Sequence, residues 1–172
     1  LSLWEMDDNT TMSIIEAGIS QPNEMASLQA MIRPTIGVWT NLGDEHNDGF
    51  LSIYQKANEK AKLLTACEHI IYSADDNIIS NSVKPILNMA HGIGWSLKNP
   101  DADIYISQIL KNEKNTDIIY RYKNETSKIT IPLTREQDIE NVINCLAVML
   151  CLETERDIIA ERLAKLTPID TR

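Results

Sequence analysis

Short β-rich apolar runs alternate with helix-forming stretches through the first half of this chain, and few architectures accept that order. Residues 13–19 read as a buried strand, and Ser20-Gln21-Pro22 then opens a helix, with proline near the first turn where a missing N–H costs least. Residues 35–40 read as a second strand. Residues 51–66 read as a helix whose apolar positions are Leu51, Tyr54, Ala57, Ala61 and Leu64. A third strand is expected at 69–73, then a helix over 78–89 that Pro85 interrupts. Strand, helix, strand, helix, strand is the pattern of a parallel sheet joined by crossover helices.

From Asp101 the texture changes. Residues 104–110, 118–122 and 128–132 read as three short strands separated by polar turns, which implies antiparallel pairing. Thr134-Arg135-Glu136-Gln137 has the form of a capping box before a helix over 138–152. Thr154 can cap a last helix with Ile158, Ile159, Leu163 and Leu166 on one face, and Pro168 ends it. With 172 residues, 43% of them hydrophobic, the chain has material for one compact α/β domain with a real core.

Charge excludes some partners. A formal net charge of −9 argues against nucleic acid and against an anionic membrane surface, since both need basic surface. A polyanionic nucleotide can still bind through a local cluster or a bridging cation. No signal peptide and no apolar run of membrane-spanning length occurs, so a cytoplasmic protein is expected. Cys67, Cys145 and Cys151 lack zinc or disulfide spacing, and the last two read as small buried hydrophobes in a helix.

Several residues carry chemistry in this setting. Glu16 falls in the first apolar run, where a carboxylate needs a cation or an exposed strand end. A salt-bridged structural glutamate and a ligand-binding one both satisfy that pattern. His46 sits in the polar run Asp44-Glu45-His46-Asn47-Asp48-Gly49, which taken alone reads as a solvated loop. Lys56, Glu59, Lys60 and Lys62 share one helix at spacings that also suit a charged solvent face. Asn141 and Asn144 stand three residues apart on the 138–152 helix, where amides on one face can read the edge of a base. Asp75, in Ser73-Ala74-Asp75-Asp76, is expected to cap the following helix. His69 and His91 read as surface or core-edge residues.

Read together, Glu16-Ala17-Gly18-Ile19-Ser20-Gln21-Pro22, Thr40-Asn41-Leu42-Gly43-Asp44-Glu45-His46 and Glu59-Lys60-Ala61-Lys62-Leu63-Leu64 resemble the central domain of the Mur ligases. The first run, with Ile32-Arg33-Pro34-Thr35-Ile36-Gly37, is similar to the MurF type, in the form found fused to an alanine racemase. The resemblance implies a three-layer α/β domain, mostly parallel, with a small antiparallel segment. It also implies a binding site for ATP and Mg2+. Glu16 and His46 match the family's magnesium ligands, and Asn41 matches the asparagine that precedes that histidine. Lys60 matches a lysine that carbon dioxide converts to an anionic carbamate, and Asn141 with Asn144 matches the pair that contacts adenine. Asp44-Glu45 departs from the small residues common there and makes the approach to the site more negative.

The parent reaction so implied is ATP-dependent amide formation, with UDP-N-acetylmuramoyl-tripeptide and D-alanyl-D-alanine as partners. The family's phosphate loop, Gly-x-x-Gly-Lys-Thr or Ser, does not occur in the sequence; His91-Gly92-Ile93-Gly94 holds the clustered glycines without the lysine. A partial central domain is therefore expected, over 1–172, without the N- and C-terminal domains and inactive by itself. Two alternatives stand beside this one. The chain can belong to another ligase of the superfamily, such as folylpolyglutamate synthase, or to a non-catalytic interaction module that lost the phosphate loop.

Overall fold

The computed structural model describes residues 6–43 and 49–168. Chain order is α1 (Glu24–Ile32), β1 (Ile36–Trp39), α2 (Ile53–Ala61), β2 (His69–Ser73), α3 (Asn77–Val83), β3 (His91–Ser96), β4 (Ile104–Lys111), β5 (Thr116–Tyr122), β6 (Glu125–Ile131), α4 (Glu136–Cys151) and α5 (Arg156–Leu163). Short 3-10 turns, Lys62–Leu64 and Lys84–Ile86, extend α2 and α3; the second contains Pro85, which cannot donate to a continuing helix. The six strands form one sheet in the order β1 to β6. Pairing is parallel from β1 to β4 and antiparallel from β4 to β6.

Strand periodicity sends successive side chains to opposite faces, so β2 serves two cores at once. Ile71 packs with Trp95, the inward residues of β4, β5 and β6, and helices α4 and α5. Its neighbour Ile70 packs with Trp39, Ala57, Ala61, Leu64, Ile79 and Val83 under α2 and α3. Both isoleucines are fully buried, contributing about 2 kcal/mol each relative to exposure. This is the expected three-layer α/β architecture.

Local readings of the sequence differ from the structure at four places. Residues 13–19 form no strand: Ile14 is 93% exposed and no described strand pairs with the segment, so its backbone has no ladder to join. Strand β3 was not anticipated because glycine weakens a strand reading. Here Gly94 makes room for its neighbour, since a Cβ would meet the Tyr72 ring and hydroxyl at 3.3 Å, and its N–H donates to the Asp103 carboxylate at 2.8 Å. At α4 the cap is Arg135 rather than Thr134; its guanidinium pairs with Asp138 and no side chain caps the helix. Cys145 is exposed and Cys151 half-buried, contrary to their reading as buried hydrophobes; burial pushes the Cys67 thiol up to about 11.

The hairpin between β5 and β6 turns on two residues, Lys123 and Asn124, with φ of 49° and 64°. That is the pattern of a type I′ turn, in which a left-handed conformation costs a lysine about 1 kcal/mol and a glycine almost nothing. Lys123→Gly is accordingly expected to stabilise the domain by roughly 0.5–1 kcal/mol, seen as a higher urea midpoint at unchanged slope.

Candidate functional site

Open α/β sheets take ligands beyond the carboxyl ends of their strands. Strand β1 ends at Trp39, and the chain then turns through Asn41, Leu42 and Gly43, with Gly43 at φ 57°. Side-chain donors fix this turn. The Trp39 indole Nε1 donates to the Asn41 carbonyl at 3.2 Å, and Lys60 Nζ reaches the same oxygen at 3.4 Å. Lys56 Nζ donates to the Gly43 carbonyl at 2.9 Å. Lys56 and Lys60 lie one turn apart on α2, so their ammonium groups arrive side by side on the same turn.

A solvent-facing lysine helix is therefore ruled out. Lys56 is only 2% exposed, a burial lysine tolerates only when its ammonium is paired. Glu59 is 5% exposed; one oxygen accepts the Asn23 N–H at 2.6 Å and the other pairs with Lys62 Nζ. In the opposite sense, Leu51 and Tyr54, expected to face the core, are 94% and 63% exposed. The helix is rotated relative to the expected stripe, so that Ile53, Lys56, Ala57, Lys60, Ala61 and Leu64 form the inward or half-buried side. Lys56 and Glu59 are the site-flanking residues that sequence reasoning passed over. Their signal was their place at i−4 and i−1 from Lys60 among small apolar neighbours.

Glu16 is exposed, on the irregular stretch that leads into α1. Ile19, three residues on, is buried and anchors the stretch. Next, the Ser20 and Gln21 N–H groups both donate to the Glu24 carboxylate, at 2.7 and 3.0 Å. Gly49 approaches this turn closely, since a Cβ placed on it would lie 2.3 Å from the Ser20 carbonyl oxygen. The chain leaving Glu16 and the chain entering α2 therefore meet at Ser20 and Gly49. His46, with Asp44 and Glu45, lies outside the described residues.

Elsewhere on this edge of the sheet, Asp75 does not cap α3. It accepts the Ser96 hydroxyl and, at 2.7 Å, the Leu97 N–H, tying the end of β2 to the end of β3. Asp76 is the cap, accepting from the N–H groups of Ile78 and Ile79. Asn144 is 3% exposed beneath the sheet; its Oδ1 accepts the Trp95 indole N–H at 2.9 Å, and its Nδ2 is buried with no partner. Asn141, one turn earlier, faces solvent. The two amides thus share a side of α4 only loosely. Burial, with the Asp103 charge adding to it, raises the Tyr72 phenol above its ordinary range. The shallow clefts at the β5–β6 hairpin, lined by Arg121, Tyr122 and Lys123 or by Tyr122, Lys123 and Arg156, include none of the candidate site residues.

A hard cation such as magnesium takes oxygen donors and keeps several waters. The exposed Glu16 carboxylate and the side-chain amide oxygen of Asn41 are donors of that kind. Lys60 adds an oxygen only as its carbamate, because an ammonium repels a cation. Among the described residues no three His, Cys, Asp or Glu side chains converge to hold a metal ion by themselves, so magnesium would need phosphate oxygens or waters to complete its shell here. No described helix is long and apolar enough to cross a membrane.

The fold and the sequence are similar to those of known proteins. The UDP-N-acetylmuramoyl-tripeptide–D-alanyl-D-alanine ligase of Buchnera aphidicola is 22% identical over 100% of this chain and 38% of its own length. A UDP-N-acetylmuramoyl-L-alanyl-D-glutamate–2,6-diaminopimelate ligase of Clostridium acetobutylicum is 26% identical over 78% of this chain and 27% of its own. Among solved structures, MurF from Acinetobacter baumannii superposes with a TM-score of 0.84 at 14% identity, over 98% of this chain and 37% of that one, a likeness of fold. The chain thus spans roughly a third of the length of these relatives. The Mur ligase middle domain matches residues 1–151, and the chain belongs to that family.

Proposed function

We propose that this chain is the ATP- and magnesium-handling part of a MurF-type ligase, which joins D-alanyl-D-alanine to UDP-N-acetylmuramoyl-tripeptide in cell-wall precursor synthesis. The observation that carries the reading is Lys60 reaching the Asn41 carbonyl at the carboxyl end of β1, where a parallel sheet binds its ligand. Similarity over the whole chain to a D-alanyl-D-alanine ligase, against 78% for the diaminopimelate ligase, supports the choice of amine. The phosphate loop, absent from these 172 residues, would come from elsewhere in the parent protein, and an alanine racemase fused to it fits the same resemblance. The work is cytoplasmic, where the UDP-linked substrate is made.

In this reading Glu16, His46 and carbamylated Lys60 would hold magnesium, with Asn41 beside them on the turn that follows β1. Bound magnesium neutralises charge on the transferring phosphoryl group. Lys56 and Lys60 set the geometry by fixing the Asn41–Gly43 turn, while Asn141 and Asn144 lie on the helix that would meet adenine. The tripeptide's terminal carboxylate attacks the γ-phosphorus of ATP and ADP leaves. The free amine of D-alanyl-D-alanine then attacks the acyl carbon, and phosphate departs as the amide forms. Holding carboxylate and phosphoryl group in register, with charge compensated in advance, lowers both barriers.

Substrate profiling of the full-length protein tests this reading. UDP-N-acetylmuramoyl-tripeptide with D-alanyl-D-alanine is expected to give the pentapeptide product by mass. Turnover of the dipeptide substrate with diaminopimelate, or of a folate with glutamate, would assign the domain to another ligase of the family.

A further inference from the structure

We infer that Glu59 is a positioning residue: its buried carboxylate clamps the Ser20–Asn23 turn onto helix α2 and so fixes where Glu16 stands relative to Lys60. The inference rests on the metal reading of Glu16 and Lys60 given above. Glu59 directly precedes Lys60 on α2, and its acceptor bond to the Asn23 N–H joins segments 36 residues apart in sequence. Asn23 holds a left-handed conformation, φ 76°, at the N-cap of α1 without a capping bond from its own side chain. Its N–H therefore depends on Glu59. Within the turn, Ser20 and Gln21 give their N–H groups to Glu24, and Pro22 has none to give. The described N–H donors of the turn are thus all held by two carboxylates, one local and one from α2.

Gly49 closes the clamp from the other side. Its backbone lies against the Ser20 carbonyl so closely that only a residue without Cβ fits. Between clamp and Glu16 stand Ala17, Gly18 and the buried anchor Ile19. Gly18 touches nothing within 4 Å of where a Cβ would be, so the stretch that carries Glu16 takes its placement from Ile19 and the turn. Residues behind metal ligands commonly change affinity by about 10- to 100-fold when removed. Lys62 plays a lesser part: it is 43% exposed, and an ion pair that open to water contributes little.

The test is Mn2+ binding to the full-length protein with ADP present, read from loss of the free-ion signal in electron paramagnetic resonance. Melting curves are recorded alongside, and binding is measured well below every transition. Glu59→Ala is expected to weaken Mn2+ binding about tenfold or more. Glu59→Gln, whose amide oxygen still accepts the Asn23 N–H, and Lys62→Met are expected to stay within about twofold of the native protein. Should Glu59→Ala fail to fold, Gly49→Ala displaces Ser20 and is expected to give the same loss with every side-chain contact retained. Native affinity in Glu59→Ala with a lowered Tm would reduce Glu59 to a structural role and overturn the inference. Equal losses in Glu59→Gln and Glu59→Ala would also overturn it, by placing the effect in the charge. If Glu16→Gln binds Mn2+ as the native protein does, the metal reading fails and takes this inference with it. Loss in Glu16→Gln but not in the Glu59 and Gly49 variants refutes the clamp alone.

Discussion

Lys56→Ala is expected to destabilise the domain by about 3 kcal/mol, the largest loss from any single change at this edge. Two effects combine. Truncating the buried four-carbon stem leaves a void in the interior, and the Gly43 carbonyl loses its 2.9 Å donor. For a domain of this size such a loss lowers Tm by roughly 6–12 °C. Lys56→Met keeps most of the stem and removes only the ammonium, so about 1–2 kcal/mol is expected. Urea unfolding of both variants checks the ratio. Equal, near-zero effects would show Lys56 to be a surface lysine.

Lys60→Ala is expected to act in the opposite way, with little change in stability and a large loss of function. Lys60 is half-buried and its contact with the Asn41 carbonyl is long, at 3.4 Å, so folding depends on it less than on Lys56. As a carbamate it would place an anionic oxygen where charge must be balanced during phosphoryl transfer. Removing one such group typically costs about 100- to 1,000-fold in rate. A short carboxylate added to the full-length Lys60→Ala variant is expected to restore part of the proposed activity by standing in for the carbamate. No such rescue is expected for Lys56→Met or Lys62→Ala. Equal tolerance of all three substitutions would mean that Lys60 is no metal ligand.

The contrast between these two lysines shows how far the sequence could be read. Strand β2 and the hairpin strands β4, β5 and β6 were legible because their apolar runs are short, β-branched and bounded by polar turns. The layered fold followed from their alternation with helices. Which way α2 faces was not legible: Leu51 and Tyr54 look like core residues, and Lys56 and Glu59 look like surface residues. The two charged residues are held inward by tertiary partners, the Gly43 carbonyl and the Asn23 N–H, that no local pattern announces. The same holds for Asn144, whose amide serves Trp95 from 49 residues away. Residues 13–19 failed for another reason, since a strand exists only beside a partner, and sequence gives propensity without pairing. Strand β3 was hidden by glycines that make room for Leu87 and Tyr72.

The candidate chemistry rests on resemblance. Glu16, His46 and Lys60 are singled out by the runs they sit in, whereas the contacts of Lys56, Glu59 and Gly49 came only from geometry. The buried Lys56 and Glu59 resemble ordinary surface charges when read in one dimension.

Oxygen transfer between substrate and phosphate tests the central claim most directly. The full-length protein is given ATP, magnesium, D-alanyl-D-alanine and a UDP-N-acetylmuramoyl-tripeptide whose terminal carboxylate is labelled with oxygen-18. If the chain belongs to an enzyme that activates that carboxylate as an acyl phosphate, each amide formed releases inorganic phosphate carrying one labelled oxygen, and Glu16→Gln abolishes both products together. Amide formation with unlabelled phosphate, or ATP hydrolysis without labelled phosphate in the presence of both substrates, would contradict it.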